Sequence, residues 1–266
     1  MKHTTYQGHR ISYNAKGKGP AVVFLHGFCE DSRIWDDFKQ DLLEEKYRVI
    51  VIDLPGFGSS DVIEDISIAG MADAVLTVLD ALKLNEVVMI GHSMGGYVSL
   101  AFAEKYPERL LGLGMFHSQA MADSEEKKAN RQKSIDFINR QGSALYVKQT
   151  IPGLFAPNFI NSNTFLIEKL SFRASQYAPQ GITAALAAMK NRPDRSPVLS
   201  GLQCPVLFII GKLDGAISWE NSMAQTHLPA RADIHILEKV GHMGMFEATK
   251  QTQSIVRQFV QFCQNG

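Results

Sequence analysis

Gly91-His92-Ser93-Met94-Gly95 is the stretch on which the reading of this chain turns. It follows an apolar run, Val87-Val88-Met89-Ile90, and leads at Gly95-Gly96-Tyr97 into an apolar stretch with the look of a helix. A serine between a strand and a helix, with small residues two places to either side, fits the sharp turn written G-x-S-x-G. That turn is tight and strained, and glycine at both flanks lets neighbouring backbone pass close by. Ser93 is then expected to project from the sheet edge as a nucleophile.

Working outward, apolar runs alternate with amphipathic stretches, which predicts βα units and a mainly parallel sheet. Residues 4–14 read as two short strands with a turn at Gly8. Buried strands are expected at 21–25, 47–53, 87–90, 110–116, 205–210 and 234–237. Helices are expected at 34–45, at 68–82, where apolar residues recur at helical spacing, and after Ser93 as far as Tyr106-Pro107. From about 119 to 197 no strand is readable. Helices are expected there at 123–140, 143–151, 164–177 and 181–191, separated by Pro152-Gly153, Ala156-Pro157-Asn158 and Ala178-Pro179. An all-helical block inside an αβ series predicts an insertion, so 1–118 and 198–266 form the core and 119–197 the insert. Helices at 218–227 and 246–262 complete the chain.

Composition bounds the function classes. With 266 residues, 45% hydrophobic and 20% charged, the chain suits one large globular α/β domain. Basic and acidic residues balance at 27 each, so the basic footprint that nucleic-acid binding requires is missing. No stretch is apolar and long enough to span a bilayer, and the first eight residues do not read as a signal peptide. Cys29, Cys204 and Cys263 are an odd set without metal-type spacing, which predicts reduced thiols and a cytoplasmic setting. Neither the histidines nor the cysteines form a metal motif, and no Gly-rich phosphate loop is present, so neither metal nor cofactor is expected.

A serine hydroxyl needs a base within hydrogen-bond reach, usually a histidine oriented by a carboxylate. When an elbow serine comes first, the acid and then the histidine follow in the chain. Asp214, in Gly211-Lys212-Leu213-Asp214 just past a buried strand, fits the acid, because strand ends are where open α/β sheets place their sites. On its own, Asp214-Gly215 reads equally well as a simple turn. His242, in Val240-Gly241-His242-Met243, lies between the last strand and the last helix and fits the base. His26, His92 and His117 come too early, His227 lies near a helix end and His235 within a strand. Asp53 also follows a strand, but it precedes Ser93 and its Leu-Pro-Gly neighbours point to a structural turn; Glu238 is the other reserve acid. The oxyanion of an acyl intermediate would take one backbone N–H from Met94, next to the serine, and a second from the loop after 21–25, assigned to Phe28.

The chain resembles the α/β-hydrolase superfamily over essentially its whole length. The resemblance rests on His26-Gly27-Phe28, Asp53-Leu54-Pro55-Gly56-Phe57-Gly58-Ser59-Ser60, Gly91 to Gly96, Gly211 to Asp214 and Gly241-His242-Met243. It implies a mostly parallel sheet flanked by helices, with a helical cap between the strands at 110–116 and 205–210. It also implies Ser93, Asp214 and His242 as the triad and Phe28 and Met94 as oxyanion donors. Within the superfamily the chain resembles small carboxylesterases and lactone hydrolases. A serine at 93 argues against haloalkane dehalogenases and epoxide hydrolases, whose nucleophile is an aspartate. Gly244 departs from the pattern, since many relatives carry proline there. The segment Ala188 to Asp194 resembles the end of the cap in some members and is read as structural.

The expected reaction is hydrolysis of a small-molecule ester through an acyl-serine, with water as the second partner. Candidate pocket residues are Phe28, Phe116, His117, Ile151, Leu154, Phe155, Phe159, Trp219, Met243 and Met245, a collection that predicts a mostly apolar pocket for uncharged acyl groups. Rival readings are other chemistry on the same triad (carbon–carbon bond hydrolysis, perhydrolysis, hydroxynitrile lysis) and a ligand sensor of the same fold with negligible turnover. The oligomeric state is not legible in the sequence.

Overall fold

A computed structural model describes residues 1–265 of the chain. Eight strands form one sheet: β1 (Lys2–Tyr6), β2 (His9–Lys16), β3 (Ala21–Leu25), β4 (Arg48–Ile52), β5 (Val87–His92), β6 (Leu110–Phe116), β7 (Val206–Gly211) and β8 (Ala232–Leu237). Their order is β1-β2-β4-β3-β5-β6-β7-β8. β1 and β2 pair antiparallel, as do β2 and β4; every other pairing is parallel. β3, β5 and β7 are buried along their whole length, which is why they read as continuous apolar runs.

The helices are α1 (Gln40–Glu44), α2 (Ile68–Ala81), α3 (Met94–Lys105), α4 (Glu125–Gln141), α5 (Ser143–Thr150), α6 (Pro157–Ser162), α7 (Thr164–Ala174), α8 (Pro179–Lys190), α9 (Ser196–Gly201), α10 (Trp219–Ala224), α11 (Gly244–Glu247) and α12 (Thr249–Asn265). α2 packs on α3, α12 packs on β6 and α1 on α12, so helices flank the sheet. The fold is that of an α/β-hydrolase. Between β6 and β7 the chain forms only helical elements, α4 to α9. Ser124 caps α4 by accepting from the Lys127 N–H, and α4 lies on α8. No helix among the described residues is long and apolar enough to cross a membrane.

Several elements differ from the sequence expectation. The helix expected at 34–45 is a 3₁₀ turn at Ser32–Trp35 followed by the short α1. Asp31 caps the Arg33 N–H, and the fully buried Trp35 ring lies 4.8 Å from Phe24 of β3, so a tight turn here tucks the indole under the sheet. The last helix is interrupted at Ala248, where φ is −142° and ψ 49°. The break leaves Glu247 at the end of α11, where its carboxylate reaches back into the preceding loop. The short helices α6 and α9 were not expected; both carry proline in their first turn.

Candidate active site

The four loops of interest leave the carboxyl ends of parallel strands: Phe28 after β3, Ser93 after β5, Asp214 after β7 and His242 after β8. This is the edge at which open α/β sheets bind ligands. Ser93 has φ 49° and ψ −113°, a strained left-handed-side conformation for a residue bearing a Cβ. Its N–H donates to Phe116 O at 3.0 Å and its C=O accepts from Ser118 Oγ at 2.7 Å, which fixes the turn from both sides. The flanking glycines answer to close approach. A Cβ on Gly91 would lie 2.4 Å from Gly95 O, and one on Gly95 would lie 2.5 Å from Leu25 O of β3.

His242 Nδ1 lies 2.8 Å from Asp214 Oδ2, and both side chains are buried. A carboxylate accepts, so the proton sits on Nδ1 and Nε2 is left with a free lone pair. The other carboxylate oxygen, Oδ1, accepts from the N–H groups of Ala216 and Ile217 at 2.8 and 2.9 Å. Burial by itself would raise the Asp214 carboxyl. His242, His117 and the Ile217 N–H outweigh burial and hold it at about 2. Ser93 Oγ makes no hydrogen bond among the described residues, and Ser93 and His242 face one cavity of about 350 Å³. Met94 is the first residue of α3, so its N–H lacks an intrahelical partner. Neither the Met94 nor the Phe28 N–H donates to a protein acceptor among the described residues, so both remain available.

Residues that were not singled out in the sequence hold these loops. Glu30 Oε2 accepts from the Gly27 N–H at 2.6 Å and faces His92 Nδ1 at 2.9 Å, while His92 Nε2 lies 2.9 Å from His242 O. A carbonyl only accepts, so His92 carries a proton on Nε2. Burial opposes charge on both partners. It is outweighed by their attraction, which lowers the Glu30 carboxyl, with help from the Gly27 N–H, and raises the His92 imidazole. Glu247 accepts from the N–H groups of Ala156, Gly241 and Met243 at 2.9, 3.0 and 2.9 Å, and His242 N–H donates to Leu154 O at 2.8 Å. The helical segment is thereby fastened to the loop carrying His242.

Asp53 is spent on backbone donors, Ser32 N–H at 2.9 Å and Ser59 N–H at 2.8 Å, which accords with a structural turn. Glu238 pairs with Lys212 at the surface. Of the pocket candidates, Phe28, Ile151 and Leu154 line the cavity. Five others are corrected. Phe116 packs in the core against Trp35 and Phe38. His117 lies behind His242, with Nδ1 accepting from Gly211 N–H at 3.1 Å. Phe155 stacks on Phe159 with ring centroids 5.4 Å apart. Trp219 begins α10 at the surface, and Met243 is buried with its N–H on Glu247. Phe159 and Met245 are likewise outside the lining. The wall toward the helical segment is instead partly polar, with Lys127, Asn130, Arg131, Ser134, Tyr146 and Thr150 on it. The legible signal was the i, i+3, i+4, i+7 spacing of the first four, a polar stripe on one helix face. Among the described residues no cluster of three or more His, Cys, Asp or Glu side chains could hold a metal ion.

Sheet order, strained elbow and loop placement define the class as α/β-hydrolase. A family model for the alpha/beta hydrolase fold matches residues 20–132. A thermophilic esterase from Thermogutta terrifontis, solved with malate bound, is 31% identical, with 98% of this chain and 97% of that one covered and a TM-score of 0.92. The chain belongs to the α/β-hydrolase superfamily. The 2-hydroxy-6-oxo-6-phenylhexa-2,4-dienoate hydrolase of Comamonas testosteroni is 27% identical over 94% of this chain and 91% of its own length. The 3-oxoadipate enol-lactonase 1 of Acinetobacter baylyi is 28% identical over 79% of this chain and 78% of its own.

Proposed function

We propose that the protein is a serine hydrolase of small carboxylic esters or lactones, acting through an acyl-enzyme on Ser93. The observation that carries the reading is the 2.8 Å contact between His242 Nδ1 and Asp214, which leaves the Nε2 lone pair free on a ring that lines the same cavity as Ser93. Ser93 Oγ attacks the ester carbonyl as His242 Nε2 takes its proton. The oxyanion is received by the Phe28 and Met94 N–H groups, and such donors are each worth about 100- to 1000-fold in turnover. Protonated His242 gives its proton to the leaving alcohol. It then takes one from water, which attacks the acyl-Ser93, and returns it to Ser93 Oγ as the acyl–oxygen bond breaks and the acid is released. The helical segment at 119–197 acts as a cap over this cavity. The high structural similarity to an esterase supports ester chemistry.

A second reading is carbon–carbon bond hydrolysis on the same triad, motivated by the similarity to the Comamonas hydrolase. The test is labelling with a fluorophosphonate followed by peptide mapping, together with a panel of nitrophenyl esters, lactones and vinylogous diketones. Labelling confined to Ser93, lost in Ser93→Ala along with ester turnover, is expected. No labelling of the native protein, or undiminished turnover in Ser93→Ala, refutes the proposal. Turnover of the diketones alone selects the second reading.

A further inference from the structure

α4 turns a polar face toward the cavity. Lys127, Asn130, Arg131 and Ser134 stand at i, i+3, i+4 and i+7, the spacing that places side chains above one another on one side of a helix. An ordinary covering helix puts apolar residues there. Lys127 and Arg131 are like charges one turn apart, an arrangement that destabilises a helix unless something opposite compensates.

The nearby carboxylates are already engaged. Asp123 serves two guanidiniums, pairing with Arg131 Nε and with Arg192 Nη1, the latter at 2.8 Å. Glu30 is matched by His92, and Asp214 by His242. Lys127 forms no ion pair among the described residues. Its Nζ donates once, to Ala216 O at 3.0 Å, leaving further donor hydrogens on the ammonium. Burial lowers the Lys127 ammonium, as do the nearby Arg131 and Arg192, against the opposing pull of Asp123 and Asp214. Ala216 belongs to the turn whose N–H groups hold Asp214, so this lysine stands beside the catalytic loop and on the cavity wall at once.

We infer that Lys127 and Arg131 form a carboxylate-binding subsite, and that the substrates are esters or lactones carrying one free carboxylate remote from the scissile bond. The inference rests on hydrolysis at Ser93. The carbonyl to be attacked lies at Ser93 between the Phe28 and Met94 N–H groups. The carboxylate lies against α4, where it supplies the negative charge that the protein itself lacks at that wall. The cavity is small, near the lower end of the roughly 300–1,000 Å³ usual for ligand sites, so one compact chain joins the two ends. Phe28, Ile151, Leu154, Leu186 and Met189 supply apolar lining.

The test compares mono-(4-nitrophenyl) glutarate with the neutral 4-nitrophenyl valerate. The native protein is expected to favour the anionic ester in kcat/KM. Lys127→Met is expected to lower the ratio of anionic to neutral kcat/KM about 10- to 100-fold, chiefly through KM, which is the scale of a lost charge-assisted hydrogen bond. Lys127→Arg, which keeps the charge, restores part of the ratio. Lys133→Met removes a lysine from the exposed face of the same helix and leaves the ratio unchanged. An equal ratio in native protein and Lys127→Met, with the ester still hydrolysed, overturns the inference. Calorimetry of glutarate binding to Ser93→Ala provides a readout that needs no turnover. Glutarate binding lost in Ser93→Ala/Lys127→Met supports the subsite even if Ser93 proves inert. Equal binding in both proteins, or none in either, refutes it.

Discussion

His117 offers a direct measure of what the buried site costs in acid. The imidazole is fully enclosed, and burial, assisted by His242 and His92 against the opposing pull of Asp214, lowers it from 6.5 to about 3. Its Nδ1 accepts from Gly211 N–H, so the folded protein holds it neutral with the proton on Nε2. Above the unfolded value of about 6.5 neither state binds the extra proton, and the neutral ring carries no penalty. As pH falls below that value the unfolded chain takes up a proton that the folded protein refuses, and stability declines until about pH 3. At roughly 1.4 kcal/mol per pH unit, the loss from this residue is about 3 kcal/mol by about pH 4.5 and at most about 5 kcal/mol. His117→Asn keeps an oxygen to accept from Gly211 and has nothing to titrate. Urea unfolding of both proteins from about pH 8 to about pH 4.5 separates this proton from all others, because every other group is common to the pair. The native protein is expected to lose its advantage over His117→Asn by about 2–3 kcal/mol across that range. Parallel stability curves refute the neutral, buried assignment.

Two further outcomes follow from the geometry. Asp214→Asn keeps an acceptor for the Ala216 and Ile217 N–H groups but offers an amide N–H to His242, which favours the wrong tautomer; steady-state assay is expected to show a fall of about 10,000-fold in kcat with unchanged thermal unfolding. Gly244→Ala puts a Cβ 2.4 Å from His117 Nε2 and is expected to cost about 1–3 kcal/mol in urea unfolding; combining it with His117→Asn, which removes that nitrogen, should recover much of the loss, and strict additivity would show that the contact is not the cause.

What could be read from the chain divides along physical lines. The elbow, Asp214 and His242 were legible because each is bound to a local event: a strand ends, a turn begins, and chain order limits the candidates. Burial was legible at β3, β5 and β7, where continuous apolar runs have one interpretation. Pocket membership was not. Phe116, Phe155 and Met243 have the same composition whether they line a cavity or fill a core, and only packing decides. The Glu30–His92 pair joins residues 62 positions apart with no periodicity to betray it. Gly244, an unexplained departure within the family resemblance, acquires a reason only when the His117 ring is seen behind it. The stripe at 127, 130, 131 and 134 was present as a pattern, but a polar helix face ordinarily meets solvent; its meaning depends on the cavity it covers.

The same geometry argues that the site's frame is separable from its chemistry. Buried ion pairs contribute little net stability, since desolvation offsets most of their attraction. Glu30 and His92 nevertheless connect three loops: the Gly27 N–H of the candidate oxyanion loop, the elbow residue preceding Ser93, and the backbone carbonyl of His242. Glu247 adds the helical segment between β6 and β7 through Ala156 and holds the same histidine loop at Gly241 and Met243. None of these bonds uses Ser93 Oγ, the Asp214 carboxylate or the His242 ring. Removing the Ser93 hydroxyl or the His242 ring leaves these bonds in place, and under the proposed mechanism the loss of rate in such a variant measures nucleophilic attack and proton transfer; removing the Asp214 carboxylate would in addition free the Ala216 and Ile217 N–H groups. Breaking the frame would instead, under the proposed mechanism, displace the candidate donors and base together, a cost that no single one of Ser93, Asp214 and His242 controls.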